Sequence, residues 1–245
     1  MNGLGVIGMR RPAYLAPVFL VAAVALILGA AAPEAWAQKK VPFDIARIFI
    51  EYNFTDNDLG FHVFLDAEDW REVEIVNPNG ETVFEVEGKG GFGNLGMTEL
   101  FFEGAEPSLF DVPLDELLAL FPEGKYKFFG TTVEGKSLMS TATLTHAVPA
   151  APSNVSAQVG PGDTLIISWD AVTGPAAGFP NKPIHIVGYQ VIVGAFQVTV
   201  PGSITSVTIS PEFVGSLDSG EHDFEVLAIE AGGNQTITET SFIIP

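Results

Sequence analysis

Apolar residues alternate with other residues in several short segments of this chain, and this pattern most constrains its fold. Leu165, Ile167 and Trp169 alternate along one segment, and residues 189–193 repeat the pattern. Successive side chains of a β-strand point to opposite faces, so alternation indicates a strand with one buried face. The chain is therefore predicted to be all-β, with sheets that each cover a hydrophobic core.

The first 37 residues are typical of a cleavable export signal. Arg10 and Arg11 precede an uncharged, apolar stretch over residues 13–32, and Ala35-Trp36-Ala37 fits the small-x-small cleavage pattern. We predict cleavage before Gln38 and an exported protein. The alternative is a retained anchor, because an uncharged stretch of about 20 residues is long enough to span a bilayer.

Cysteine is absent from the sequence. An exported chain without cysteine has no disulfides, no thiolate nucleophile and no cysteine-ligated zinc site. This composition favours a bacterial periplasmic or extracellular location over an animal secreted domain. The net charge limits which classes of partner can bind. Residues 38–245 carry 9 Lys and Arg against 29 Asp and Glu, a net charge of −20. Such a field repels phosphate backbones, so we predict no nucleic acid partner and no membrane association after signal cleavage.

The segment Val148–Pro152 is predicted to be a short, stiff linker, because prolines bracket small residues there. It divides the mature chain into domains at 38–147 and 148–245. In the first domain, residues 46–53, 61–66, 71–76 and 81–87 are predicted strands. A short helix over residues 115–121 is predicted from apolar residues spaced by three and four, with Pro122 ending it. We expect two consecutive β-sandwiches, the first of them containing this helix.

The corner at Gly124 and Tyr126 resembles the tyrosine corner of immunoglobulin-like sandwiches, in which a tyrosine hydroxyl bonds to an upstream backbone group. The second domain resembles the fibronectin type III family over residues 150–245. The residues that carry this resemblance are Pro152, Trp169, Gly188, Tyr189, Leu217, Gly220 and Ala228. The resemblance implies a β-sandwich that presents loops for recognition. The sequence departs from the family at His222, which stands where the family has its corner tyrosine, and in a long proline-containing loop at 171–186.

A hard-cation site is the leading candidate for chemistry. Glu51, Asp56 and Asp58 place oxygen donors ahead of a predicted strand, and Asp66 follows that strand. Asp56-x-Asp58-x-Gly60 is a fragment of calcium-binding loops, in which alternate carboxylates aim at one point. We therefore predict these four acids as Ca²⁺ ligands. The alternative is an ordinary polar turn, because Asp and Asn are favoured in turns.

Two aromatic residues are candidate ligand contacts. Trp70 lies beside Glu68 and Asp69, and a ring next to carboxylates is suited to stacking on sugars. Phe179 lies among prolines in the loop at 171–186. For both residues the alternative is a place in the core.

Catalytic motifs are absent from the sequence. It has no Gly-x-Ser-x-Gly elbow, no phosphate-binding loop and no His-Glu-x-x-His pair, and residues 88–93 are predicted to be a flexible glycine-rich loop. We therefore predict an exported, non-enzymatic protein that recognises a protein or an extracellular polymer. A calcium-dependent or carbohydrate-binding accessory module is the second hypothesis. A hydrolase with an acidic pair drawn from Glu99, Glu103 and Glu106 is the third.

Overall fold

The computed structural model describes residues 40–244, so the predicted signal segment lies outside the described residues. The prediction of an all-β chain is confirmed. Among the residues described, no helix has the length and apolar character needed to cross a membrane. Residues 38–245 form one compact unit, and the division at residue 148 stays a prediction.

From residue 40 to residue 147, the described structure contains six strands and two short helices. The strands are β1 (Ile45–Asn53), β2 (Asp58–Val76), β3 (Thr82–Glu87), β4 (Met97–Glu103), β5 (Gly124–Thr132) and β6 (Ser137–Leu144). The helices are α1 (Gly90–Leu95) and α2 (Leu114–Leu120). Helix α2 confirms the predicted helix with its bounds moved by one residue. Helix α1 corrects the prediction of a flexible loop over residues 88–93, because Gly96 closes a helical turn by donating its N–H to the carbonyl of Phe92 at 2.9 Å.

The second part contains seven strands and one short α-helix. The strands are β7 (Ser156–Val159), β8 (Leu165–Ser168), β9 (Ile186–Val193), β10 (Phe196–Pro201), β11 (Ser206–Ile209), β12 (Gly220–Glu230) and β13 (Gln235–Ile244). The helix α3 covers Pro211–Val214, and a single 3-10 turn covers Pro161–Asp163.

One large sheet runs through both parts of the chain. Its ten strands follow the order β10-β9-β12-β13-β1-β2-β5-β6, with β3 and β4 also pairing with β2, while β11-β8-β7 form a separate sheet. The two parts join where β1 and β13 pair in parallel, with Glu51 opposite Gln235 and Asn53 opposite Ile237. This pairing makes the first and last strands of the described structure neighbours.

Strand β2 is one continuous strand of 19 residues, where two separate strands at 61–66 and 71–76 were predicted. The register of its pairing with β4 shifts between Asp66 and Trp70. Asp69 adopts a positive φ of 31° at this shift. A bulge of this kind bends a strand without ending it. The strand can therefore pair with β1 along its first half and with β5 along its second half.

The described residues form two hydrophobic cores. The first surrounds Trp70, Tyr126 and Phe128, and the second surrounds Trp169 and Tyr189. The predicted tyrosine corner is present, because the Tyr126 hydroxyl donates to the carbonyl of Pro122 at 3.2 Å. Each core is therefore closed by the alternating strands that the sequence indicated.

Candidate metal centre

The outer face of the large sheet carries a cluster of four ionisable side chains where β2 lies between β1 and β4. Glu51 of β1 lies opposite Gly60, and His62 of β2 lies opposite Glu103 of β4. Positions that are directly opposite or two residues apart on neighbouring strands project from the same face. Glu106, just beyond β4, completes the cluster. Strand pairing thus gathers residues that are far apart in the sequence.

The side chains of this cluster converge on one point. One potential ligand atom from each of Glu51, His62, Glu103 and Glu106 lies within 4.8 Å of the others. The Nε2 atom of His62 is 2.7 Å from an oxygen of Glu103 and 3.7 Å from an oxygen of Glu51. Ligand atoms gathered this closely can all be directed at one small ion.

His62 is held firmly in this cluster by two phenylalanine rings. It stacks on Phe49 with ring centroids 4.9 Å apart and planes 14° apart, and Phe101 contacts it at 5.7 Å. His62 is only 5% exposed. Neither of its ring nitrogens has a hydrogen-bond partner with suitable geometry. The 2.7 Å contact between Nε2 and the Glu103 carboxyl group therefore lies off the direction of a ring N–H.

Burial and like charges shape the protonation of the cluster. Burial, reinforced by repulsion from Glu103 and Glu106, raises the pKa of Glu51 to about 7. Burial, followed by the hydrogen bond and the charge of Glu103, raises the pKa of Glu106 to about 7. Burial lowers the pKa of His62, although the charge of Glu106 opposes this shift. The cluster thus combines an imidazole whose burial favours the neutral form with carboxyl groups whose charges repel one another.

Gly60 makes the space in which two of these side chains lie. A Cβ atom at this position would come within 2.7 Å of the Glu103 Oε1 atom and 3.0 Å of the Glu106 Cγ atom. Glycine is needed at this position because the two carboxylates lie over the backbone. The backbone angles of Gly60 do not themselves require glycine.

Glu51 is oriented by a residue from the other part of the chain. The side-chain amide of Gln235 donates a hydrogen bond to Glu51 Oε2. Gln235 begins β13 and is the residue opposite Glu51 in the parallel pair. The position of one carboxylate therefore depends on the junction between the two parts.

Of the four acids predicted as calcium ligands, the structure places only one in the cluster. Glu51 belongs to the cluster. Asp56 lies in the β1–β2 turn, where it accepts a hydrogen bond from the Asn53 side chain at 3.2 Å, as the polar-turn alternative describes. Asp58 pairs with Asn53, and burial followed by the charges of Glu106 and Asp56 raises its pKa.

Asp66 lies away from the cluster. It pairs with Ile45 at the opposite end of the β1–β2 ladder, four residues beyond His62. Four residues of strand cover about 13 Å. The expectation that Asp66 would return to complete a shell around the other three acids does not match this register.

His62 was not predicted as a ligand from the sequence, although it lies within the predicted strand at 61–66. Glu103 and Glu106 were predicted only as candidates for a hydrolase pair. The available signal was the spacing of two between Asp58, Gly60 and His62, which places them on one face. Nothing local indicated that β4 would pair beside them.

The two aromatic residues considered as ligand contacts are both in the first core. Trp70 is buried among the residues of that core. Phe179 is also buried and packs against Tyr52 with ring centroids 5.0 Å apart. The structure therefore places both rings in the core, as the alternative interpretation described, and neither ring presents a face to a ligand.

The arrangement of the carboxylates bears on the hydrolase hypothesis. Glycosidases hold two carboxyl groups about 5 to 10 Å apart, on either side of the bond they cleave. Here Glu51, Glu103 and Glu106 bring oxygens to within 4.8 Å of one another and of His62. Because these groups converge on one point, the geometry suits a shared cation better than a sugar ring.

Comparisons with known proteins identify no family. No family model matches the chain, and no curated protein matches it. Among solved structures, the spore cortex lytic enzyme SleM of Clostridium perfringens is similar at 20% identity and a TM-score of 0.32, over 39% of this chain and 28% of that one. The FN1–FN3 domains of chicken CNTN1 are similar at 14% identity and a TM-score of 0.34, over 83% of this chain and 67% of that one.

A third similar structure is the BSP domain of a biofilm-associated protein. It matches at 15% identity and a TM-score of 0.25, over 81% of this chain and 29% of that one. The chain thus spans less than a third of the length of SleM and of this domain. Neighbours of this chain include fibronectin type III domains. These similarities are too low to support an argument about function.

Proposed function

We propose that this chain is an exported, non-enzymatic binding protein that recognises a protein or an extracellular polymer. The observation that carries the proposal is a groove of about 570 Å³ where the end of β1 meets the segment at residues 150–155. Tyr52, Phe54, Ala176 and Ala177 also line it, and residues 238–240 of β13 complete it. Its volume lies within the range of ligand pockets.

The walls of this groove are tied in place by hydrogen bonds. Thr236 and Thr238 of β13 donate their hydroxyls to the carbonyls of Pro149 and Pro152 at 2.6 and 2.8 Å. The N–H of Ala150 donates to the carbonyl of Gly174 at 2.9 Å. A groove with fixed walls loses little conformational entropy when it binds, which favours affinity.

The chemistry of the groove favours an extended peptide. Four alanines, Pro152 and Val155 are among its lining residues, together with Phe54, which is 56% exposed. Asn154 and Glu239 supply polar groups at the lining. Apolar side chains beside hydroxyl and amide groups suit an extended peptide, which offers apolar side chains together with backbone hydrogen-bonding groups.

Charge narrows the ligand to a neutral or basic segment. Residues 38–245 carry a net charge of −20, which disfavours an acidic partner. Glu239 is the single carboxylate among the lining residues.

A selection experiment tests this proposal. The purified protein is used to select from a displayed peptide library and to probe an array of extracellular polysaccharides. We expect enrichment of peptides with apolar and basic residues. Binding of the selected peptides should fall at least about tenfold in Phe54→Ala, the loss of about 1.4 kcal/mol expected for a central contact.

Two variants locate the binding surface. Ala177→Trp should also abolish binding, because it fills the groove with an indole, whereas Phe92→Ala should leave binding unchanged, because Phe92 is an exposed ring on α1 outside the groove. Binding of polysaccharides alone would replace the peptide assignment with the carbohydrate hypothesis. Ligands that bind Phe54→Ala and Ala177→Trp as tightly as the unaltered protein would contradict the proposal.

A further inference from the structure

We propose that Glu51, His62, Glu103 and Glu106 bind one divalent transition-metal ion, with Nε2 of His62 as the nitrogen ligand. This site is separate from the peptide groove, and its residues do not line that groove. The inference therefore stands or falls independently of the proposed binding function.

The first argument is the state of His62. The ring is 5% exposed, and neither nitrogen has a hydrogen-bond partner of suitable geometry. Buried polar groups in folded proteins are nearly always paired, so an unpaired ring nitrogen calls for an explanation. Its Nε2 atom points into the carboxylate cluster, 2.7 Å from Glu103 and 3.7 Å from Glu51. A metal ion at the centre supplies the missing partner.

The second argument is charge balance. Three carboxyl groups converge on the imidazole, and among the described residues no lysine or arginine forms an ion pair with any of them. Carboxylates held this close repel one another in a partly buried setting. A divalent cation would neutralise them, and the glycine at position 60 keeps the space around Glu103 and Glu106 open.

The donor set selects the class of metal. Calcium takes six to eight oxygen ligands, whereas imidazole suits first-row transition metals such as zinc. One imidazole nitrogen with carboxylate oxygens is a donor set that Zn²⁺ accepts in tetrahedral geometry. We therefore assign a transition metal to the cluster, in place of the Ca²⁺ that the acids alone suggested.

Neighbouring residues hold the ligands in position. Phe49 stacks on His62 and fixes the plane of its ring. Gln235 donates to Oε2 of Glu51, which leaves Oε1 on the side of His62. Residues that orient metal ligands in this way commonly affect affinity by about 10- to 100-fold. Gln235 is therefore a positioning residue for the metal.

Titration calorimetry with Zn²⁺ tests the inference directly. The full-length protein is stripped with EDTA, dialysed into metal-free buffer and titrated with Zn²⁺, Co²⁺ and Ca²⁺ separately. We expect one Zn²⁺ per chain, and a Co²⁺ complex whose visible absorption reports nitrogen and oxygen ligands. His62→Gln and Glu103→Gln should each weaken Zn²⁺ binding by more than about 100-fold, which exceeds the effect of losing an orienting residue.

The controls separate loss of a ligand from loss of the fold. Glu103 is 32% exposed, so Glu103→Gln is expected to fold even if the buried His62→Gln variant does not. Glu99→Gln is the matched control, because Glu99 is on the same strand and face but pairs with Asp66. It should bind Zn²⁺ with the affinity of the unaltered protein. Circular dichroism checks that each variant is folded.

Three outcomes would overturn the inference. The first is the absence of Zn²⁺ and Co²⁺ binding to the folded protein. The second is Zn²⁺ binding that survives both ligand substitutions, which would place the ion elsewhere. The third is Ca²⁺ binding that is tighter than Zn²⁺ binding and unaffected by His62→Gln.

Discussion

The side-chain oxygen of Asn234 accepts a hydrogen bond from the backbone N–H of Ile50 at 2.8 Å, although 184 residues separate them in the sequence. The amide nitrogen of the same side chain donates to the carbonyls of Thr145 and Ala147 at 2.8 and 3.1 Å. Asn234 is buried. One side chain therefore links β1, the segment after β6 and the turn that leads into β13.

Substitution of Asn234 is expected to destabilise the whole unit. Asn234→Ala would leave the N–H of Ile50 and two carbonyls without partners, and each unpaired buried group costs about 1–3 kcal/mol. We expect the free energy of unfolding to fall by about 3 kcal/mol in urea denaturation. Asn181→Ala, at an exposed asparagine, should change it by less than about 0.5 kcal/mol. Equal effects of the two variants would show that Asn234 does not join the parts.

The raised pKa of the corner residue Tyr126 predicts how the free energy of unfolding changes at alkaline pH. Burial raises the pKa of Tyr126 to about 12, while tyrosine in the unfolded chain ionises near pH 10. The folded state therefore keeps the hydroxyl protonated where the unfolded state has lost its proton. The contribution of this hydroxyl to the free energy of unfolding is complete below pH 10 and is lost as the pH rises towards 12.

Tyr126→Phe isolates this effect. It removes the hydrogen bond to Pro122 and should cost about 1 kcal/mol at pH 7. Between pH 9 and 11.5, its free energy of unfolding should decline less than that of the unaltered protein, as measured by denaturation at each pH. Parallel declines would mean that Tyr126 titrates alike in the folded and unfolded states.

His222 takes the place of a corner tyrosine in the second core. Its Nε2 atom lies 2.7 Å from the carbonyl of Asp218, four residues upstream, as the Tyr126 hydroxyl reaches Pro122 four residues upstream. The ring also stacks on Phe242. His222 therefore makes a corner contact like that of Tyr126.

This equivalence predicts that tyrosine can replace the histidine. His222→Ala should lower the free energy of unfolding by about 1 kcal/mol, the usual contribution of one hydrogen bond. His222→Tyr should recover most of that loss, since its hydroxyl can reach the same carbonyl. Thermal unfolding of the two variants makes the comparison, and a tyrosine variant no more stable than the alanine variant would refute the equivalence.

Gly60 predicts a loss of metal affinity from a single added methyl group. In Gly60→Ala the new Cβ would lie 2.7 Å from the present position of Glu103 Oε1, so the carboxylate must move. We expect Zn²⁺ affinity to fall by at least about tenfold, as for displaced ligands in metal sites. The control is Gly91→Ala, because a Cβ there meets nothing within 4 Å. Undiminished Zn²⁺ binding by Gly60→Ala would exclude Glu103 from the site.

Metal binding should also be visible as stability. An ion that binds only the folded state stabilises it by about 2.7 kcal/mol at a free concentration of 100 times its Kd. We expect Zn²⁺ to raise the melting temperature, EDTA to reverse the rise, and His62→Gln to eliminate it. An equal rise in His62→Gln would indicate that Zn²⁺ binds a different part of the protein.

The sequence by itself determined the local structure, because the cues for it lie within a few residues of one another. Alternation over residues 165–169 and 189–193 placed Trp169 and Tyr189 in a core, as observed. Alternation over residues 61–66 likewise put His62 on the face opposite Phe61, Val63 and Leu65. The prolines around α2 and the spacing of Tyr126 from its corner were also sufficient, since turn and helix termination are decided by nearby residues.

Only the tertiary structure decided which strands became neighbours. The parallel pairing of β1 with β13 and the pairing of β2 with β4 join distant segments, and these pairings place Gln235 and Glu103 beside Glu51 and His62. Alternation specifies which face a side chain occupies, but any strand with a matching buried face can lie alongside. For this reason the candidate metal ligands could be recognised only after the sheet was assembled.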